Sequence, residues 1–111
     1  MPKVYVVQDA QVYDKERDEY KSKYDLTPAT LHGELVYLLP SGNINDPDEA
    51  CGILRYKLEG YGPNDFILCT GSPELIGWAT GIAAFQTDGL VNMLKWQPRE
   101  RCYQIRRAQL W

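Results

Sequence analysis

Near the start of the chain, Lys3 to Gln8 read KVYVVQ, a run of β-branched and aromatic side chains. Such side chains suit a pleated, half-buried surface, and a strand is predicted there. From Asp9 to Asp25 the pattern dissolves into DAQVYDKERDEYKSKYD, with no sustained apolar face. This stretch is predicted to be a long, charged, mobile loop with a helical turn at 14–20, from which only Tyr13, Tyr20 and Tyr24 could dock. Leu26-Thr27-Pro28-Ala29 returns the chain to the body, so the flexible segment spans 9–29.

Glu34 to Leu39 (ELVYLL) is a second predicted strand, ended by Pro40-Ser41-Gly42-Asn43. Asp46-Pro47-Asp48-Glu49 then carries the marks of a helix start. Asp46 can accept from the free amides, Pro47 loses no donor in the first turn, and two carboxylates meet the positive end of the dipole. Apolar residues recur at Ala50, Ile53, Leu54, Leu58 and Tyr61, one stripe at helical spacing. Gly60, Gly62 and Pro63 stop it.

Asp65 to Thr70 (DFILCT) is short and almost uniformly apolar, the profile of a strand buried on both faces of a parallel sheet. Ser72, Pro73 and Glu74 repeat the capping logic, and LIGWATGIAAF from Leu75 to Phe85 predicts a largely buried helix. Gly77 and Gly81 lie on one face of it. Each costs about 1 kcal/mol relative to alanine, so a close backbone approach is expected to offset them. Asp88-Gly89 turns into Leu90 to Gln97. Pro98 to Arg101 is a plausible hairpin loop, and Cys102 to Gln109 returns antiparallel.

The predicted fold class is therefore α/β. It is a small sandwich of two or three layers, with a mixed, mostly parallel sheet of about five strands and two main helices, in the order β-β-α-β-α-β-β. Its middle three strands run parallel through right-handed crossovers. The last strand, and the first as a second candidate, would be antiparallel edges. A length of 111 residues suits a single domain over 1–111. The 44% apolar and 12% aromatic content is that of a globular chain.

Three cysteines at wide spacing, Cys51, Cys69 and Cys102, with the single histidine His32, do not make a structural zinc site. Met1-Pro2-Lys3-Val4 enters a strand directly, and no apolar run nears the roughly 18 residues of a membrane span. Reduced thiols and the cytoplasm are expected, with no metal, cofactor or membrane. The net charge of -3 hides an asymmetry. Residues 1–50 hold five Lys/Arg and ten Asp/Glu, whereas 95–107 hold five Lys/Arg and one acid. Either the ends neutralise one another in the fold, which is the simpler expectation, or the cations form a binding face.

Candidate chemistry is sparse. Thr70, Gly71, Ser72 and Glu74 stand where a buried strand hands over to a helix, a position at which α/β sheets bind phosphate or carboxylate. Against this, Pro73 removes a donor, Glu74 repels anions, and no glycine-rich phosphate motif is present. Cys69 or Ser72 with His32 would be a nucleophile and base, but lacks any surrounding motif, so no catalytic residue is assigned. Lys95, Trp96, Arg99, Arg101, Tyr103, Arg106 and Arg107, with Trp111, alternate cations and aromatics on one hairpin, which suits a partner protein or nucleic acid. A pI near 5.1 argues against a dedicated nucleic-acid binder.

DFILCTGSPELIGWATGIAAF, VNMLKWQPRERCY and the upstream GELVYLLPSGN together resemble small hypothetical proteins of bacteriophage and prophage genomes. The resemblance covers about two-thirds of the chain. It implies an origin and no mechanism. Ser72 and Gln97 stand where that family tends to show Asp, and losing both carboxylates counts against acid–base or metal chemistry there. The resulting expectation is a non-enzymatic phage-type accessory protein that binds a host or phage protein, with a homodimer as one arrangement. The alternatives are nucleic-acid binding through the basic hairpin and a phosphate or nucleotide site at 70–74.

Overall fold

The computed structural model describes residues 1–42 and 44–111. Its elements are strands β1 (Lys3–Gln8), β2 (Gln11–Asp14) and β3 (Glu19–Ser22), a 3-10 helix (Thr27–Leu31), β4 (Glu34–Leu39), α1 (Pro47–Lys57), β5 (Phe66–Leu68), α2 (Pro73–Gln86), β6 (Leu90–Gln97) and β7 (Cys102–Gln109). Five strands form the main sheet in the order β4-β1-β5-β6-β7, and β2 with β3 forms a separate antiparallel pair. The expected α/β class, the two helices and the mostly parallel sheet are all present.

Both helix starts follow from their caps. Asp46 accepts from the Asp48 amide at 3.0 Å, and the Ser72 hydroxyl accepts from the Leu75 amide at 3.4 Å. α1 buries Ala50 and Leu54 of its stripe, and Leu58 and Tyr61 beyond its end are buried with them. They pack with Leu75, Ala79 and Ala83 of α2 onto Tyr5, Val7, Leu38 and Ile67. The opposite face of the sheet, with Val4, Val6, Leu68, Leu94 and Tyr103, is covered over part of its area by Leu26 and Ala29. Two helices thus lie on one face and a short 3-10 turn on the other.

Four expectations need correction. First, β1 is no antiparallel edge. It runs parallel to β4 (Tyr5 opposite Val36) and to β5 (Tyr5 opposite Ile67), between the two. Its own residues suit that place: Val4 and Val6 feed one core while Tyr5 and Val7 feed the other, and a strand buried on both faces belongs in a covered parallel sheet.

Second, 9–25 is not a loop with a helical turn but a β-hairpin, with Val12 opposite Lys21 and Tyr13 opposite Tyr20. The two tyrosine rings meet edge to face at 5.4 Å, and Asp18, at φ 51°, closes the turn. Lacking a buried face, this hairpin has no hydrophobic alternation to betray it.

Third, α2 is not buried all round. Ile76, Trp78 and Ile82 are half-buried and Phe85 is 80% exposed, because no layer lies outside the helices. Gly77 and Gly81 face this open side, and a Cβ on either would meet nothing within 4 Å, so no backbone approaches them within the chain.

Fourth, the two charged ends do not neutralise each other. Among the described residues the ion pair is Lys21 with Asp14 at 3.6 Å, inside the hairpin itself.

Candidate functional site

Strand order decides where a site can form. From β1 the chain crosses to β4 on one side, and from β5 it crosses by α2 to β6 on the other. Right-handed crossovers in opposite directions occupy opposite faces, so the chain leaves the carboxyl ends of β1 and β5 in divergent directions. The gap between them is a topological switch point, the usual ligand position in open α/β sheets. Thr70, Gly71 and Ser72 lie at that point.

Gln8, the last residue of β1, holds the gap together. Its side-chain amide is buried and donates to the carbonyls of Pro40, at 3.0 Å, and Gly42, beyond the end of β4. The Thr70 hydroxyl donates to the Gln8 carbonyl at 2.7 Å. Gly71 sits at φ +107°, and a Cβ there would stand 2.7 Å from the Gln8 Cβ. Only glycine fits this close approach without strain. Sequence reasoning passed over Gln8. A glutamine closing an otherwise apolar strand was the available signal.

Two connected clefts open from this floor. One, of about 440 Å³, runs between Tyr24 and Asp25 on one side and Trp96 and Tyr103 on the other, with Thr70 and Gly71 at its base. The second, of about 690 Å³, lies under the β2–β3 hairpin and reaches Gln8, Asp9, Ser41 and Ser72. Lys23, Tyr24 and Gly71 border both. Both volumes suit a small organic ligand. The Trp96 and Tyr103 rings pack at 5.0 Å, and the Lys23 ammonium stands 5.4 Å from the Tyr24 ring centre. Lys23 and Tyr24, in the segment expected to be a mobile loop, were not singled out from the sequence.

The carboxylates of the cleft are already engaged. Hydrogen bonds from Thr27, first its side chain and then its amide, hold the Asp25 carboxyl below its usual range. Asp9 accepts from the Ser22 hydroxyl at 2.8 Å. Burial, reinforced by the Asp25 charge, pushes the Tyr103 phenol up, so it stays a neutral donor. Glu74 is exposed in the first turn of α2.

The remaining candidates do not converge. Burial raises the Cys69 thiol above its usual range, opposite to what a nucleophile needs. His32 is held elsewhere: its Nε2 lies 3.2 Å from the Tyr103 carbonyl and its ring packs on Phe66 at 5.8 Å. Among the described residues no three His, Cys, Asp or Glu side chains are grouped to hold a metal ion.

The basic hairpin forms in the expected register, with Trp96 opposite Tyr103 and Asn92 opposite Arg107. Strand alternation divides its chemistry, however. Trp96, Tyr103 and Arg107 lie on one face and Lys95 and Arg106 on the other, while Arg99 and Arg101 occupy the turn. Of the strand cations, Arg107 alone shares the aromatic face. Trp111 folds back, its indole N–H donating to Asp88 at 3.4 Å.

No helix among the described residues is long and apolar enough to cross a membrane. No curated protein and no solved structure matches the chain. The resemblance to phage and prophage proteins, read from the strand–Gly–helix stretch at 65–85 and the hairpin after it, does have a counterpart among family models. That of the Phage Pam3 gp32-like protein matches residues 2–109, nearly the whole sequence, and the chain belongs to this family.

Proposed function

We propose that the switch-point cleft binds a small phosphorylated aromatic ligand of the nucleotide type. The observation that supports this reading is the meeting, in one cleft, of three aromatic rings with Lys23, which forms no ion pair among the described residues, next to the turn that opens a 14-residue helix. Tyr24 and Trp96, both exposed, offer faces on which a base can stack, with the buried Tyr103 ring packed behind Trp96. Lys23 and the amides at Gly71 and Ser72 supply the positive end for a phosphate. Binding at a hundredfold excess over the dissociation constant should stabilise the folded chain by about 2.7 kcal/mol. Adenosine, guanosine, cytidine and uridine monophosphates, followed by thermal unfolding, test this. Trp96→Ala and Lys23→Gln should each abolish the shift. A thermal midpoint unmoved by all four nucleotides overturns the reading.

A second reading, a protein-interaction module whose simplest arrangement is a homodimer, is favoured by the outer side of α2. Gly77, Gly81 and Phe85 succeed one another at intervals of four residues and face open space. Two such helices could approach closely across the glycines, each covering the other's phenyl ring. Sedimentation over a range of concentrations should then reveal a dimer that Gly81→Leu disrupts. A monomer at all concentrations removes the homodimer and leaves this face to a host or phage protein.

A further inference from the structure

Gly71 borders both clefts of the switch point, whereas Trp96 and Tyr103 line only the smaller and Ser72 only the larger. A nucleotide with its base against Trp96 and its phosphate at Ser72 therefore crosses Gly71 with its sugar, the part that joins the two.

Beneath Gly71 lies the side chain of Gln8, 7% exposed. Its amide nitrogen donates to the carbonyls of Pro40, at 3.0 Å, and Gly42. Both amide hydrogens are spent there, and Oε1 is turned toward Gly71. No donor among the described residues reaches that oxygen, and a buried acceptor without a partner is rare in native folds. It is not sealed either: among the described residues the sealed side-chain polar atom without a partner is Asn92 Oδ1, and Gln8 itself lines the larger cleft. A Cβ on Gly71 would stand 2.9 Å from Gln8 Oε1, so any larger side chain at that position would cover the oxygen. Asp9 continues the same wall, one of its carboxylate oxygens accepting from the Ser22 hydroxyl at 2.8 Å. Gln8 Oε1 and the Asp9 carboxylate are both acceptors. They repel a phosphate and pair with hydroxyl groups.

Resting on the nucleotide reading, we propose that the ligand is a ribonucleotide whose ribose lies over Gly71, one of its two hydroxyls donating to Gln8 Oε1. The base then lies against Trp96, and the phosphate meets Lys23 and the amides that open α2. Gln8 Oε1 gains a donor only when the sugar carries that hydroxyl. A site with such an acceptor discriminates against the sugar that lacks it.

The test is a titration of the full chain, labelled for NMR, with adenosine, guanosine, cytidine and uridine monophosphates. Each is compared with its deoxy form, which lacks one ribose hydroxyl, and its dideoxy form, which lacks both. A ribonucleotide should saturate the site and shift the Gln8 side-chain amide. The dideoxy form should bind at least about tenfold more weakly and leave that amide in place. A loss already present in the deoxy form assigns the contact to the hydroxyl removed there; a loss confined to the dideoxy form assigns it to the other. Equal binding of all three forms, or discrimination with the Gln8 amide unmoved, overturns the ribose assignment and leaves the nucleotide reading standing. Binding by none of the nucleotides removes both.

Discussion

Tyr61 shows how one polar group ties the bottom of this fold together. Its ring packs on Tyr5 at 5.7 Å, its hydroxyl donates to the Asp65 carbonyl at 3.4 Å, and it accepts from the Asn92 amide at 3.3 Å. Burial pushes its phenol up, and that of Tyr5 likewise. Because the native values lie above the unfolded value of about 10, the neutral phenols stabilise the fold fully below that pH, and this is lost as pH rises through the raised values. Tyr61→Phe should cost about 1 kcal/mol at neutral pH, since the Asn92 amide loses its acceptor, and should flatten the alkaline limb of the stability curve. Urea unfolding from pH 7 to 11 measures both. At Gly71 the demand is steric. Gly71→Ala places a Cβ against Gln8 at a positive φ and should destabilise by about 1–3 kcal/mol in the same assay. Gly71 was legible as a turn residue in the sequence. Its dependence on Gln8, 63 positions earlier, was not, since nothing local links the two.

Among the elements, those with a buried stripe and a cap announced themselves. α1 has its start at Asp46-Pro47 and its apolar positions at Ala50, Leu54 and Leu58 where the pattern put them. α2 was legible as a helix but not in its burial, for an apolar sequence does not say whether a further layer exists to cover it. Its glycines make this testable. Since a methyl group at Gly77 or Gly81 meets open space, each change to alanine should raise stability by about 0.5–1 kcal/mol in a monomer. A gain in stability with loss of self-association would place the second copy on this face. A loss of stability at low protein concentration would contradict the open geometry. The β2–β3 hairpin was illegible because its pairing depends on Tyr13 meeting Tyr20 and on the tight turn at Asp18, without any core residue.

Across the whole molecule, charge is segregated and not paired. Lys21 pairs with Asp14 inside the β2–β3 hairpin, and among the described residues no ion pair joins the acidic first half to the cations of 95–107. Stability should therefore respond little to salt, by under about 0.5 kcal/mol between about 0.05 and 0.5 M NaCl, as chemical unfolding in urea can measure. A steep fall would reveal long-range attraction between the two regions. The α/β class, the caps of both helices and the hairpin of β6 with β7 could be read from the chain alone, because they rest on interactions between residues close along it, and the parallel core strands followed from the β-α-β order and the hand of its crossovers. That β1 lies inside the sheet was settled by packing between distant segments. That placement creates the switch point, aligns Gln8 with Gly71, and sets Lys23 and Tyr24 opposite Trp96 and Tyr103. These are contacts between distant segments, fixed by which faces remain to be buried once the strands are ordered.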